Sequence, residues 1–319
     1  MKRLRPLLLL LATGYILTFY SEVLFWARPR PGDSFSGWIG VWLYYSVTTF
    51  AFLAVVKRFG IRGPWALFLA GGLFGWLVEG ILANTMYEEF PYQIPFTGLA
   101  WHALISVLVG WYLVRKVLLQ KRPLKALLLS GALGLFWGLW SLSWWIEEPA
   151  SIATVPAFVL FAFTGTLLLV AAYRAYDRLE PATFEPRGWA IWLNALFFAF
   201  IFIFGTLPLY PWAPLLLLPL LALIFLALRR HRRTSSGPDV MEALVGRARP
   251  SNYLLLLLMP LVATVVYALA TLLDLRFAAN AWVYVLTTPL STVAFVIAVV
   301  KCLRREATPV EASYAKLSL

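Results

Sequence analysis

Three ionisable side chains, Glu22, Glu79 and His102, lie inside stretches of this sequence that are otherwise apolar. A charged carboxylate in membrane hydrocarbon costs about 3 kcal/mol unless it is paired, protonated or hydrated. A histidine can supply or accept the proton such a carboxylate needs. Glu22 lies 16 residues after Pro6, and Glu79 lies 15 after Pro64. At 1.5 Å per helical residue, both sit roughly 22–24 Å beyond the start of their helices. His102 enters its own apolar stretch from the opposite end and reaches the same level. Trp76, Val78 and Ile81 surround Glu79 in sequence and nothing basic is adjacent, so its partner must come from another helix. Three such groups at one depth could carry a proton or bind a cation, or Glu79 and Glu22 could act as general acid and base with His102 shuttling protons.

Tryptophans are the second chemical feature, 15 in a chain that is 16% aromatic. Trp137, Trp140 and Trp144 recur at i, i+3 and i+7, with Ser141 and Glu148 on the same stripe, and Trp76 precedes Glu79 by three residues. An aromatic wall ending in a carboxylate suits a cationic or amphipathic ligand, because ring faces attract cations as well as flat apolar groups. Packing within a bundle, together with the aromatic belts of a membrane interface, produces the same stripe.

The elements that position these residues are transmembrane helices. The chain is 61% hydrophobic and 13% charged, with a mean hydropathy of +0.79. That excludes a soluble domain, where roughly a quarter of residues are charged. A span needs about 20 apolar residues, and the sequence predicts ten: 7–26, 38–56, 64–84, 98–118, 124–146, 150–172, 189–207, 212–228, 252–273 and 281–300. Pro208, Pro211, Pro214 and Pro219 crowd the junction of the seventh and eighth, where a re-entrant pair is the alternative. The start of the chain imitates a signal peptide, but its apolar run continues through Trp26 without a small-x-small cleavage site, so a retained first helix is expected.

The net charge of +12 is distributed by side. Of the 27 Lys and Arg residues, all but Arg28, Arg30 and Arg276 fall at the termini or in the loops that share one face. Cytoplasmic loops collect basic residues in this way. An all-α integral membrane protein with both termini cytoplasmic is therefore expected, most simply in the plasma membrane. Arg229, Arg230, Arg232 and Arg233 form the densest basic patch and are expected to meet anionic lipid headgroups rather than nucleic acid. Glu22, Asp33, Glu79, Glu88, Glu89, Glu147, Glu148 and Asp274 fall on the opposite half.

No linker divides the chain, so residues 1–305 read as one polytopic domain and 306–319 as a tail. Within the loop 229–251, Asp239 could cap a short interfacial helix over 239–245. Gly71-x-x-x-Gly75 and Gly134-x-x-x-Gly138 allow close backbone approach, within the bundle or between copies of the chain. Residues 66–73 match 126–133 at five of eight positions, which suggests duplicated hairpins, five in all. Cys302 stands alone, so neither an intramolecular disulfide nor a cysteine metal cluster can form.

No paired-aspartate diphosphate motif, Walker A sequence, nucleophile elbow or His-Glu-x-x-His metal spacing occurs, and no metal or cofactor is expected. The Glu88-Glu89 and Glu147-Glu148 pairs, each following an apolar run, resemble the acidic motif of membrane lycopene cyclases. Those cyclases carry a proline two residues before the pair, where this chain has Met86 and Trp145. The expected function is transport of a small cationic or amphipathic molecule. The alternatives are an enzyme acting on a lipid, isoprenoid or lipid-linked substrate at the outer leaflet, and a scaffold without chemistry.

Overall fold

Local signals start most of the helices. In the computed structural model, which describes residues 4–304, a proline occupies the first turn of six spans, where its missing N–H costs nothing. Ser34 caps a seventh through its side-chain oxygen, and Thr154 does the same for one of the six. Ten helices result: α1 Arg5–Trp26, α2 Phe35–Phe59, α3 Gly63–Leu82, α4 Gln93–Leu118, α5 Pro123–Glu147, α6 Val155–Leu179, α7 Gly188–Thr206, α8 Ala213–Thr234, α9 Pro250–Leu272 and α10 Ala279–Leu303. All ten are long and apolar enough to cross a membrane, and among the described residues there is no strand. This is a polytopic helical membrane protein. The proline-rich junction separates two full-length helices of 19 and 22 residues.

Helix α3 forms the centre, with 89% of its apolar window buried, against 6% for α7 at the periphery. It packs along α4 and also against α2, α8 and α10, while α1 packs against α2, α4 and α6. The glycines determine the two closest crossings. A Cβ at Gly71 would fall 2.8 Å from the Ala103 backbone, and one at Gly75 equally close to the His102 Cβ. Gly134 and Gly138 meet Met259, Ala263 and Val266 of α9 in the same way. The close partner of α5 is thus α9 rather than α6, so the packing of α3 on α4 is not repeated in the next hairpin.

Loop 235–249 differs from expectation. Asp239 does accept from the Met241 and Glu242 amides, at 2.9 and 3.2 Å. However, only one turn follows, Glu242–Leu244, and Val240, Met241 and Leu244 are buried against the bundle. Burying those three side chains inward leaves no apolar face for a surface helix. The tail 306–319 lies outside the described residues.

Candidate functional site

Each candidate ionisable residue sits where its helix is locally widened by about one residue per turn. Glu22 lies in Phe19–Val23, Glu79 in Val78–Leu82 and His102 in Phe96–Val114, all with i→i+5 hydrogen bonding. The Ala83 amide, for example, bonds the Val78 carbonyl at 2.8 Å. Such wide turns are uncommon and concentrate at functional sites, because the inserted residue re-aims the side chains around it.

Glu79 and His102 meet in the packed interior, 8% and 2% exposed, with Oε1 and Nε2 2.6 Å apart. Thr85 donates to the other oxygen of Glu79. Ser21 Oγ lies 3.0 Å from His102 Nδ1 and donates to Ser106 at 2.8 Å, which in turn donates to the Trp101 carbonyl. With its own proton committed, Ser21 accepts from the imidazole, and the network assigns a hydrogen to Nδ1. One proton then lies between Nε2 and Oε1. On the carboxyl it gives a neutral pair, and on the imidazole an ion pair. Every surrounding hydrogen bond is satisfied in both states.

Glu22 forms an adjoining arm. Tyr45 donates to one oxygen at 2.6 Å and Trp26 to the other at 3.0 Å. Glu22 hydrogen-bonds neither Glu79 nor His102. The Tyr45 and Phe74 rings flank the imidazole at 6.3 and 5.7 Å. Among the described residues, no three His, Cys, Asp or Glu side chains are grouped to hold a metal ion.

The tryptophan stripe meets backbone. Helix α1 stops at Trp26 because Ala27 turns left-handed at φ 59°, which leaves terminal carbonyls without helical partners. Trp140 and Trp144 both donate to the Phe25 carbonyl, and Trp137 donates to that of Ala27. Trp76 donates to the Ile94 carbonyl and packs on Phe295. Glu148 is engaged by Arg28 at 2.6 Å, and the Arg28 guanidinium also reaches Ser151 and lies 5.0 Å from the Trp144 ring. Burial pushes the Arg28 pKa down, and Glu148 opposes that shift.

A second buried polar cluster stands at the basic end. Arg115, fully buried, donates to Asp177 (2.8 Å), the Tyr253 hydroxyl (2.9 Å) and the Gly246 carbonyl (2.7 Å). Lys57 pairs with Asp239 at 2.9 Å, and Arg62 donates to the Ser235 carbonyl, pinning loop 235–249 over this end. Between the clusters, Tyr173 donates to the Gly110 carbonyl, and Trp111 to Tyr176, which also contacts Thr13. Thr49 lies one turn from Tyr45, buried with no hydrogen-bond partner for its hydroxyl among the described residues. Polar groups thus run along α4 from His102 through Ser106, Gly110 and Trp111 to Arg115.

Sequence reasoning missed Ser21, Tyr45, Thr85, Ser106, Arg28 and Arg115. The i, i+4 spacing of His102 and Ser106 was a usable signal, whereas Tyr45 offered none. No protein-family model, curated protein or solved structure matches this chain, which leaves the geometry of these residues as the ground for a functional reading.

Proposed function

We propose that this protein is a membrane carrier, with its basic face cytoplasmic, whose working element is the Glu79–His102 pair. The observation that carries this reading is the buried 2.6 Å contact between His102 Nε2 and Glu79 Oε1, whose surroundings accept a shared proton on either partner. Moving that proton changes the charge on each partner without breaking the network, the property a proton-coupled site needs. The loop and ion pairs at the basic end then act as the closed inner side, and the polar groups along α4 mark the route between faces. The substrate is a small cationic or amphipathic molecule that approaches the acidic face, where Glu88, Glu89 and Glu147 set the sign of the field.

One observation favours an enzyme. Ser21, His102 and Glu79 stand in the order of a nucleophile, base and orienting carboxylate. Against it, Ser21 is 3% exposed and donates to Ser106 rather than to the imidazole.

A thermal-shift screen of wild type, Glu79→Gln and Glu79→Leu against amines, amphiphiles, lipids and sugars, across about pH 5 to 8 where histidine titrates, tests the proposal. An amine or amphiphile should stabilise only the wild type, with a pH dependence that Gln abolishes although the variant folds. Stabilisation by a lipid that is lost in both Glu79 variants would support the enzyme. Identical behaviour of all three proteins under every condition would make Glu79 a packing residue and overturn both readings.

A further inference from the structure

We infer that the groove between α1, α2 and α6 binds one anionic phospholipid, with its phosphate at the basic end and an acyl chain lying along α1. The groove encloses about 1660 Å³, well above the roughly 300–1,000 Å³ of ordinary small-molecule pockets. Its floor is one face of α1: Leu4, Leu8, Leu11, Tyr15 and Thr18, at helical spacing. Those 14 residues of rise make a floor about 21 Å long, longer than the roughly 15 Å half-thickness of membrane hydrocarbon. Toward the acidic end, the Trp38 ring of α2 and the Phe161 ring of α6 lie 6.0 Å apart in the wall, and the lining continues past them to Pro29 and Phe35. The cleft therefore suits a chain that enters from the basic side and runs toward the acidic end.

The charge on the rim is confined to the basic end and identifies the headgroup. Arg5, Arg178 and Arg247 line it, together with Asp177 and Glu180. Asp177 is committed to Arg115, Tyr253 and the Ala248 amide. Glu180 stands 3.8 Å from Arg5. Arg178 and Arg247 have no ion pair among the described residues, which leaves two guanidiniums for one phosphate diester at the mouth of an apolar cleft. Tyr15 and Trp42 spend their polar atoms on the Gly165 and Leu11 carbonyls and show the cleft only ring surface. None of these residues belongs to the Glu79–His102 network, so the two sites stand or fall separately.

Native mass spectrometry of the detergent-purified protein tests the assignment, with dioleoyl phosphatidylglycerol and dioleoyl phosphatidylcholine as probes. Each basic side chain at a lipid surface contributes about fivefold, so one phosphatidylglycerol should be retained with about 25-fold preference. Arg178→Gln with Arg247→Gln should erase the preference while still retaining some of either lipid. Thr164→Trp, which places an indole in the cleft from an exposed position of α6, should reduce retention of both. Equal retention of the two lipids by the wild type would overturn the inference, as would retention indifferent to Thr164→Trp. A lipid-free dimer would also overturn it, because a second copy of the chain would then be the occupant.

Discussion

His102 Nε2 and Glu79 Oε1 lie 2.6 Å apart, between two helices whose turns are both widened at that point. Each residue is the other's means of being buried. Removing the imidazole leaves a desolvated carboxylate, and removing the carboxylate leaves an imidazole with an idle nitrogen.

That dependence predicts strong non-additivity. His102→Ala should destabilise the protein by about 3–5 kcal/mol, the usual result of leaving one partner of a buried pair. Glu79→Leu should cost much less, because it removes the group that is expensive to bury. The double variant should be more stable than His102→Ala alone, with a coupling energy of about 1–3 kcal/mol. Denaturation in detergent micelles reads all four states. Additive costs would mean that the pair is not coupled.

Glycine substitutions should separate close crossings from ordinary helix surface. A Cβ at Gly75 meets the Gly98 carbonyl and the His102 side chain, so Gly75→Ala should cost about 1–3 kcal/mol. Gly131→Ala meets only a Leu258 methyl at 3.6 Å, an ordinary contact, and should stabilise by up to about 1 kcal/mol through helix propensity. Melting temperatures of the two variants should move in opposite directions.

At the acidic end, the Arg28–Glu148 pair should respond asymmetrically. The Arg28 side chain is fully buried and that of Glu148 is 46% exposed. Glu148→Ala strands a guanidinium inside the protein and should cost about 3 kcal/mol. Arg28→Met leaves a carboxylate that water can reach and should cost about 1 kcal/mol. Equal costs in a stability assay would count against this account.

Sidedness is open to direct test. On a Cys302→Ser background, cysteines replacing Glu88 and Asp274 should react with an impermeant thiol reagent from outside intact cells. Those replacing Lys121 and Gly237 should react only after the membrane is opened. Labelling of position 121 in intact cells would reverse the assignment of the basic face to the cytoplasm.

The ten spans were legible because apolar length is a property of the chain alone, and helical rise was enough to put Glu79 and His102 at one depth. What lay outside the sequence was partner identity. Tyr45 on Glu22, or Arg115 on Asp177, depends on how helices distant in the chain rotate against each other. The Trp137, Trp140 and Trp144 stripe was visible as a periodicity. That its polar edges would meet the last carbonyls of α1 could not be read, because those carbonyls become vacant only where Ala27 ends the helix. The widened turns were hidden for the same reason, since the i→i+5 pattern leaves no mark in the residue types of α3 or α4.

Those three indole bonds also fix where α1 can bend. By gripping the Phe25 and Ala27 carbonyls, α5 makes the last turn of α1 part of its own rigid body, while Arg28 anchors the following loop to Glu148. The lower part of α1 packs instead on α2 and α6. Between these two attachments lies Phe19–Val23, where the hydrogen-bond ladder is already widened and where Ser21 contacts His102 Nδ1 at 3.0 Å. Any rocking of the bundle about α1 would therefore be felt first at the site itself.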